Sequence, residues 1–153
     1  MKDRIYVCHT YYHVYVTFLK ELKRRAEARK NGKDPGGATL VLSMLSNNFE
    51  NLKERVESTG LFEEVLMFDE KGEDNFPELK ELRKGGKGFL GNLWCRIRFT
   101  RRYAKLEEAY VPVNFREYKD VYVYCDSDPI GYYLNQKKIP YHAMEDGLNC
   151  LKN

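Results

Sequence analysis

Apolar positions in this chain follow two patterns, short β-rich runs and longer stretches at helical spacing. Arg4-Ile5-Tyr6-Val7-Cys8 is the first run and predicts a buried strand. Thr10 can then cap a helix. Along it Val14, Phe18, Leu19 and Leu22 recur at helical spacing, and Lys23 to Lys30 continue it with a polar face. Gly32 and Asp34-Pro35-Gly36-Gly37 end that element. Ala38 to Ser43 predicts a second buried strand. Asn47 or Asn48 is placed to cap a second helix through Phe49, Leu52 and Val56, with Gly60 as its stop. Phe62 to Phe68 predicts a third strand and Lys119 to Cys125 a later one. Asp128-Pro129 starts a short helix, with proline in the first turn, where it is tolerated. Ile139 to Met144 gives the last strand.

Strands alternating with helices imply βαβ units and a parallel sheet. The expected fold class is therefore α/β: a single domain over residues 1–153, with a Rossmann-like parallel sheet flanked by helices. Residues 72–118 break the rhythm. They are long, hold Gly85-Gly86-Lys87-Gly88 and show no clear strand, so they read as a basic helical insertion or excursion.

Composition adds limits more than identity. A chain of 153 residues, 42% hydrophobic and 32% charged, is long enough for a real core and too apolar for disorder. Twelve Tyr suit a sugar- or base-binding cleft, but packing on strands is the favoured reading. The net charge of +3 names no partner. Cys8, Cys95, Cys125 and Cys150 are far apart and form no CxxC pair, so no metal is expected on spacing grounds. Cys8 and Cys125 lie in apolar runs and read as small hydrophobes, which suits reduced thiols in a cytosolic protein. No apolar run approaches the ~20 residues needed to span a bilayer, and the N-terminus has no signal-peptide pattern. The expected location is the cytoplasm, with peripheral contact at the inner membrane face as an option for the basic segment.

Four segments carry candidate chemistry. The first strand-to-helix turn, Val7 to His13, holds two of the three histidines where a doubly wound sheet binds ligands. It has no glycine, so it is not the GxGxxG dinucleotide fingerprint, which argues against an NAD enzyme. His9 or His13 can hydrogen-bond a substrate hydroxyl or phosphate, or can simply cap and pack a helix start. Asp126-Ser127-Asp128-Pro129 follows a strand and has the spacing of a metal-holding DxD. Helix capping by Ser127 or Asp128 is the favoured reading, because proline follows. Glu145-Asp146-Gly147 follows the last strand. Two adjacent carboxylates repel, which raises one toward the range of a general base, and the glycine permits a tight turn. A solvated surface loop is the alternative.

The fourth segment, Arg83 to Lys105, holds eight basic residues and no acid. Phe89, Leu90, Leu93, Trp94 and Ile97 repeat at three- and four-residue spacing, interleaved with Arg96, Arg98, Arg101 and Arg102. That pattern suits a helix on an anionic membrane surface. It also suits phosphate binding, or an ordinary packed helix with solvated arginines. No RNP-like aromatic strand or KH-type loop is present, so nucleic acid is not an expected partner.

A strand opening at residue 4, a ligand-type loop at His9-Thr10 and an acidic Glu145-Asp146-Gly147 at a later strand end occur together here. In this the chain resembles the bacterial sialyltransferase-like glycosyltransferases, specifically glycosyltransferase family 52, the lipooligosaccharide sialyltransferases, with the polysialyltransferases as relatives. The resemblance implies a GT-B arrangement of two Rossmann-type domains facing a cleft. This chain would be the N-terminal, acceptor-side half, and the donor-binding C-terminal domain would lie outside it. It implies Asp146 as the base that deprotonates an acceptor hydroxyl, with Glu145 tuning it beside Gly147. His9, Thr10 and His13 would line the cleft, with Asp126 and Ser127 as further candidates.

The implied acceptor is a surface glycan or lipo-oligosaccharide saccharide. The implied donor is a nucleotide sugar of the CMP-sialic acid type, a substrate rather than a cofactor. No cofactor or metal is implied, because such a donor carries one phosphate and a good leaving group. The family's His-Pro motif is absent, since none of His9, His13 or His142 precedes proline. The resemblance therefore supports a glycosyltransferase half better than it supports sialic acid as the donor. The alternative is a non-catalytic flavodoxin-like module that docks on a membrane or anionic partner through residues 83–105. Apolar surface in the 72–118 segment would also suit a homodimer.

Overall fold

The computed structural model describes residues 1–85 and 88–144. Five strands form one parallel sheet: β1 (Lys2–Cys8), β2 (Ala38–Ser43), β3 (Glu64–Phe68), β4 (Tyr118–Val123) and β5 (His142–Ala143). Their order across the sheet is β3-β2-β1-β4-β5. Five helices flank it: α1 (Tyr11–Lys30), α2 (Glu50–Glu57), α3 (Pro77–Arg83), α4 (Gly88–Glu107) and α5 (Pro129–Lys137). The expected α/β class with Rossmann-type order is what the chain adopts.

Strand burial explains the continuous apolar runs. All six residues of β2 are buried, as in a parallel sheet covered on both faces. Tyr6 stands level with Leu40 and Tyr122, and side chains then alternate between two layers. On one face Tyr6, Cys8, Leu40, Leu42, Val65 and Tyr122 pack with Val14 of α1 and Val56 of α2. On the other, Ile5, Val7, Val41, Val121 and Val123 pack with Ile130 and Leu134 of α5.

The amino edge of the sheet is locked by a buried ion pair. Arg4 donates to both carboxylate oxygens of Glu21, at 2.7 and 2.6 Å, and Tyr6 donates to the same group at 2.6 Å. Burial alone pushes the Glu21 carboxyl up, but the bonds from Arg4 and Tyr6 outweigh it and hold it below its ordinary value.

Several local expectations are refined. Thr10 is the N-cap of α1, its hydroxyl accepting from the His13 amide at 3.2 Å. The N-cap position of α2 falls later than Asn47 or Asn48. Phe49 holds that position without a side-chain cap, and Asn47 instead donates to the His9 carbonyl at 2.8 Å. Asp128 is the N-cap residue of α5, but its carboxylate makes no capping bond. The last strand is much shorter than the run from Ile139 suggests. Lys138 closes α5 in the left-handed region and Ile139 is tied back to the Leu134 carbonyl, while Pro140 has no amide to give to a ladder.

Residues 72–118 form the crossover from β3 to β4. Phe76, Leu79 and Tyr103 make a third apolar cluster that joins α3 to α4, with Tyr132 of α5 packed against it. The chain then returns to β4 along the sheet, packing Val111, Val113 and Phe115 on its second face.

Candidate functional site

The path from β1 through β2 to β3 runs one way across the sheet, and β4 and β5 lie on the other side of β1. The strand order therefore reverses between β1 and β4, which opens a crevice beyond their carboxyl ends. His9 follows β1, Ser43 ends β2, Glu70 follows β3, and Cys125 to Asp128 follow β4. All of them meet at this edge.

Glu70 is the hub of the site. Its side chain is fully buried. One oxygen accepts from His9 Nε2 at 2.7 Å and from Ser43 Oγ at 2.5 Å. The other accepts the backbone amide of Ile130, in the first turn of α5, at 2.8 Å. A carboxylate offers only acceptors, so His9 donates through Nε2. The same nitrogen is 3.7 Å from Asp128 Oδ2, which is partly open to solvent. His9 thus stands between a buried acid and a half-buried one, and its backbone is held by Asn47.

The other predicted residues take distinct places. His13 is buried, accepts the His9 amide on Nδ1 at 3.2 Å, and stacks on Tyr124 with centroids 4.3 Å apart. Thr10 spends its hydroxyl on the α1 cap. Asp126 and Ser127 are exposed on the loop before α5. That loop is packed tightly: a Cβ on Gly131 would come within 1.9 Å of the Asp126 carbonyl oxygen. Glu145, Asp146 and Gly147 lie outside the described residues. The last described residue, Met144, donates its amide to the Val123 carbonyl at 2.7 Å, beside the end of β4.

Beside the hub lies an open cavity of about 530 Å³, lined by Ser127, Asp128, Tyr132, Asn92, Arg96 and Tyr103 among others. It joins the crevice to α4 and brings a positive side chain to the Asp128 loop. Arg83 also lines it and pairs with Glu73 at 3.2 Å. The cavity is of a size that takes a sugar unit or small ligand.

The fold groups one set of soft donors that spacing along the chain did not reveal. Ligand atoms of His9, His13 and Cys125 all lie within 4.8 Å of one another. In a tetrahedral zinc site, metal–ligand bonds of about 2.0–2.3 Å hold ligand atoms roughly 3.5 Å apart. The three would have to close by about 1 Å to hold such an ion.

A second buried carboxyl sits behind the hub. Glu107, near the end of α4, accepts the Lys71 amide at 3.0 Å, and Tyr103 donates to the Lys71 carbonyl at 2.8 Å. Burial pushes the Glu107 carboxyl up to about 7, with Glu70 and Asp69 nearby adding to the effect. Its second oxygen has no hydrogen-bond partner among the described residues.

Glu70, Ser43 and Glu107 were not singled out from sequence, and Asn47 was read only as a helix cap. Glu70 had a readable signal, because Asp69-Glu70 follows a buried strand in the same way as Glu145-Asp146. Comparison with family models, with curated proteins and with solved structures finds no significant match to this chain.

Proposed function

We propose that this chain is the acceptor-side domain of a glycosyltransferase, moving a sugar from a nucleotide donor to a surface glycan or lipo-oligosaccharide acceptor. One observation carries the reading. The strand that leads into Glu145-Asp146-Gly147 is β5, parallel to β4 and ending at the same carboxyl edge as His9, Glu70 and Asp128. That edge is where an open α/β sheet keeps its chemistry, and Glu145-Asp146 is the sequence that follows the strand ending there.

In this reading Asp146 takes the proton from the acceptor hydroxyl as that oxygen attacks the anomeric carbon. The nucleotide phosphate leaves with the bonding electron pair. Glu145 raises the basicity of its neighbour by like-charge repulsion. His9 donates to Glu70, and Asp128 presents a carboxylate to the crevice as an acceptor for sugar hydroxyls. Ser127 and Arg96 reach the adjoining cavity. Thr10 and His13 position His9, the first by capping α1 and the second by accepting the His9 amide. The donor, of CMP-sialic acid type in the family resembled, would be held by a second domain. No cofactor enters the proposal.

The test is an amide NMR titration of this chain with oligosaccharides released from lipo-oligosaccharide. The expected shifts cluster at His9, Thr10, Ser127, Asp128 and Met144. Shifts confined to other surfaces, or none at millimolar saccharide, would count against an acceptor site at this edge.

A further inference from the structure

We propose that the first turns of α4 form a docking site for an anionic phospholipid bilayer. The end of the helix is anchored, and its first turns are exposed. Tyr103 and Glu107 are buried and tied to Lys71. Phe89 lies fourteen residues before Tyr103, which is about 21 Å along a helix. There Phe89, Leu90, Leu93 and Trp94 are exposed by 81, 77, 44 and 59%. Their i, i+1, i+4, i+5 spacing puts all four on one face. A contiguous apolar tip of this kind marks a surface that something covers.

Charge decides what covers it. The same face continues one and two turns later into Arg98 and Arg101, with Arg96 beside it. None of these three has an ion-pair partner among the described residues. The nearby acids are otherwise engaged: Glu73 with Arg83, Glu81 with Lys84, and Glu78 with Arg102. An apolar, aromatic tip followed by unpaired guanidinium groups matches a bilayer that presents acyl chains beneath phosphates. Guanidinium suits phosphate through paired N–H donors, and tryptophan suits the boundary layer. A parallel two-fold pairing of α4 would set one cluster of arginines against another, and an antiparallel pairing would bury the apolar tips while leaving Arg98 and Arg101 without an anionic partner.

No helix among the described residues is long and apolar enough to cross a membrane, so the contact is peripheral. The middle of α4, at Asn92, Cys95 and Arg96, lines the same cavity as Ser127 and Asp128. Docking by the tip would therefore hold the crevice near lipid headgroups. That an acceptor carried on a lipid would meet it there rests on the glycosyltransferase reading; the docking itself does not.

Trp94 is the single tryptophan, so its fluorescence reports the tip directly. The purified chain is titrated with vesicles of phosphatidylglycerol and phosphatidylethanolamine, and separately with phosphatidylcholine vesicles. The expected result is a blue shift of emission and sedimentation with the anionic vesicles, weakened by salt. Both should fall at least tenfold in R98E/R101E. F89S/L90S should lose the blue shift while its circular dichroism stays unchanged. The proposal is overturned by unshifted emission with anionic vesicles, by equal binding to phosphatidylcholine, or by a lipid-free blue shift that grows with protein concentration. The last outcome would identify a protein–protein contact. None of these readouts requires sugar transfer, so a failure here is distinct from a failure of the acceptor site.

Discussion

Replacing Glu70 with alanine is expected to cost this domain about 3–5 kcal/mol. Three donors converge on that buried carboxylate: His9 Nε2, Ser43 Oγ and the Ile130 amide. A buried donor left without its acceptor costs about 1–3 kcal/mol, with charged acceptors at the upper end. The three do not add fully, because they share one acceptor group and because Asp128, 3.7 Å from His9 Nε2, remains as a second acceptor there. Glu70→Gln keeps the shape and one carbonyl oxygen, which can still accept the Ile130 amide, so about 1–2 kcal/mol is expected. The assay is urea unfolding followed by far-UV circular dichroism, with an unchanged m-value as the sign that the folded state stays compact. A shift of about 2–4 °C in Tm per kcal/mol gives an independent reading. If Glu70→Ala lost less than about 1 kcal/mol, or if Glu70→Gln and Glu70→Ala were equal, the hub would not hold the strand ends together.

Three further predictions concern the frame around the site. Glu21→Ala strands Arg4 inside the domain and should cost about 3–5 kcal/mol by urea unfolding. Glu21 and Glu107 should respond to pH with opposite signs. Glu21 is held below its ordinary value of 4.5, so its contribution is present above that value and is lost as pH falls through the lower folded-state value. Glu107 is raised from 4.5 to about 7, so the folded state binds the extra proton between those values and stability falls as pH rises across that window. Glu107→Gln should flatten the pH 4.5–7 slope in a stability-versus-pH series, by on the order of 2 kcal/mol across the window. Gly131→Ala should push the Asp126 carbonyl aside and alter the amide spectrum of residues 126–131 while leaving β1 to β3 unchanged.

Much of the fold was legible in the residue pattern, for a physical reason. Parallel strands buried on both faces leave continuous β-branched and aromatic runs, and β1, β2 and β4 each show one. Thr10 was readable as a cap because its hydroxyl acts locally, within three residues. The misreadings arose where tertiary contacts override local preference. Asn47 has the chemistry of a cap, but α2 begins two residues too late for it, and its side-chain NH2 donates to the His9 carbonyl, 38 residues away in sequence. Ile139 has strand propensity, yet it closes α5 instead. The site was half legible. His9 and Asp128 stand on loops after strands, where ligand-binding residues are expected. Glu70 and Glu107 acquire their character only from burial and from partners that fold close to them. The approach of Cys125 to His9 and His13 is likewise a product of β1 and β4 being neighbours, which their spacing along the chain cannot show.

The most direct test of the proposed function is nucleotide release by the two-domain enzyme that the proposal requires, this chain joined to a donor-binding domain, with Asp146 intact and as Asp146→Asn. A general base contributes about 10²–10⁴-fold. The account predicts that Asp146→Asn lowers kcat by at least about a hundredfold while acceptor binding at the His9 edge, followed by NMR, is retained. Near-normal turnover in Asp146→Asn would contradict it and remove Asp146 from the chemistry.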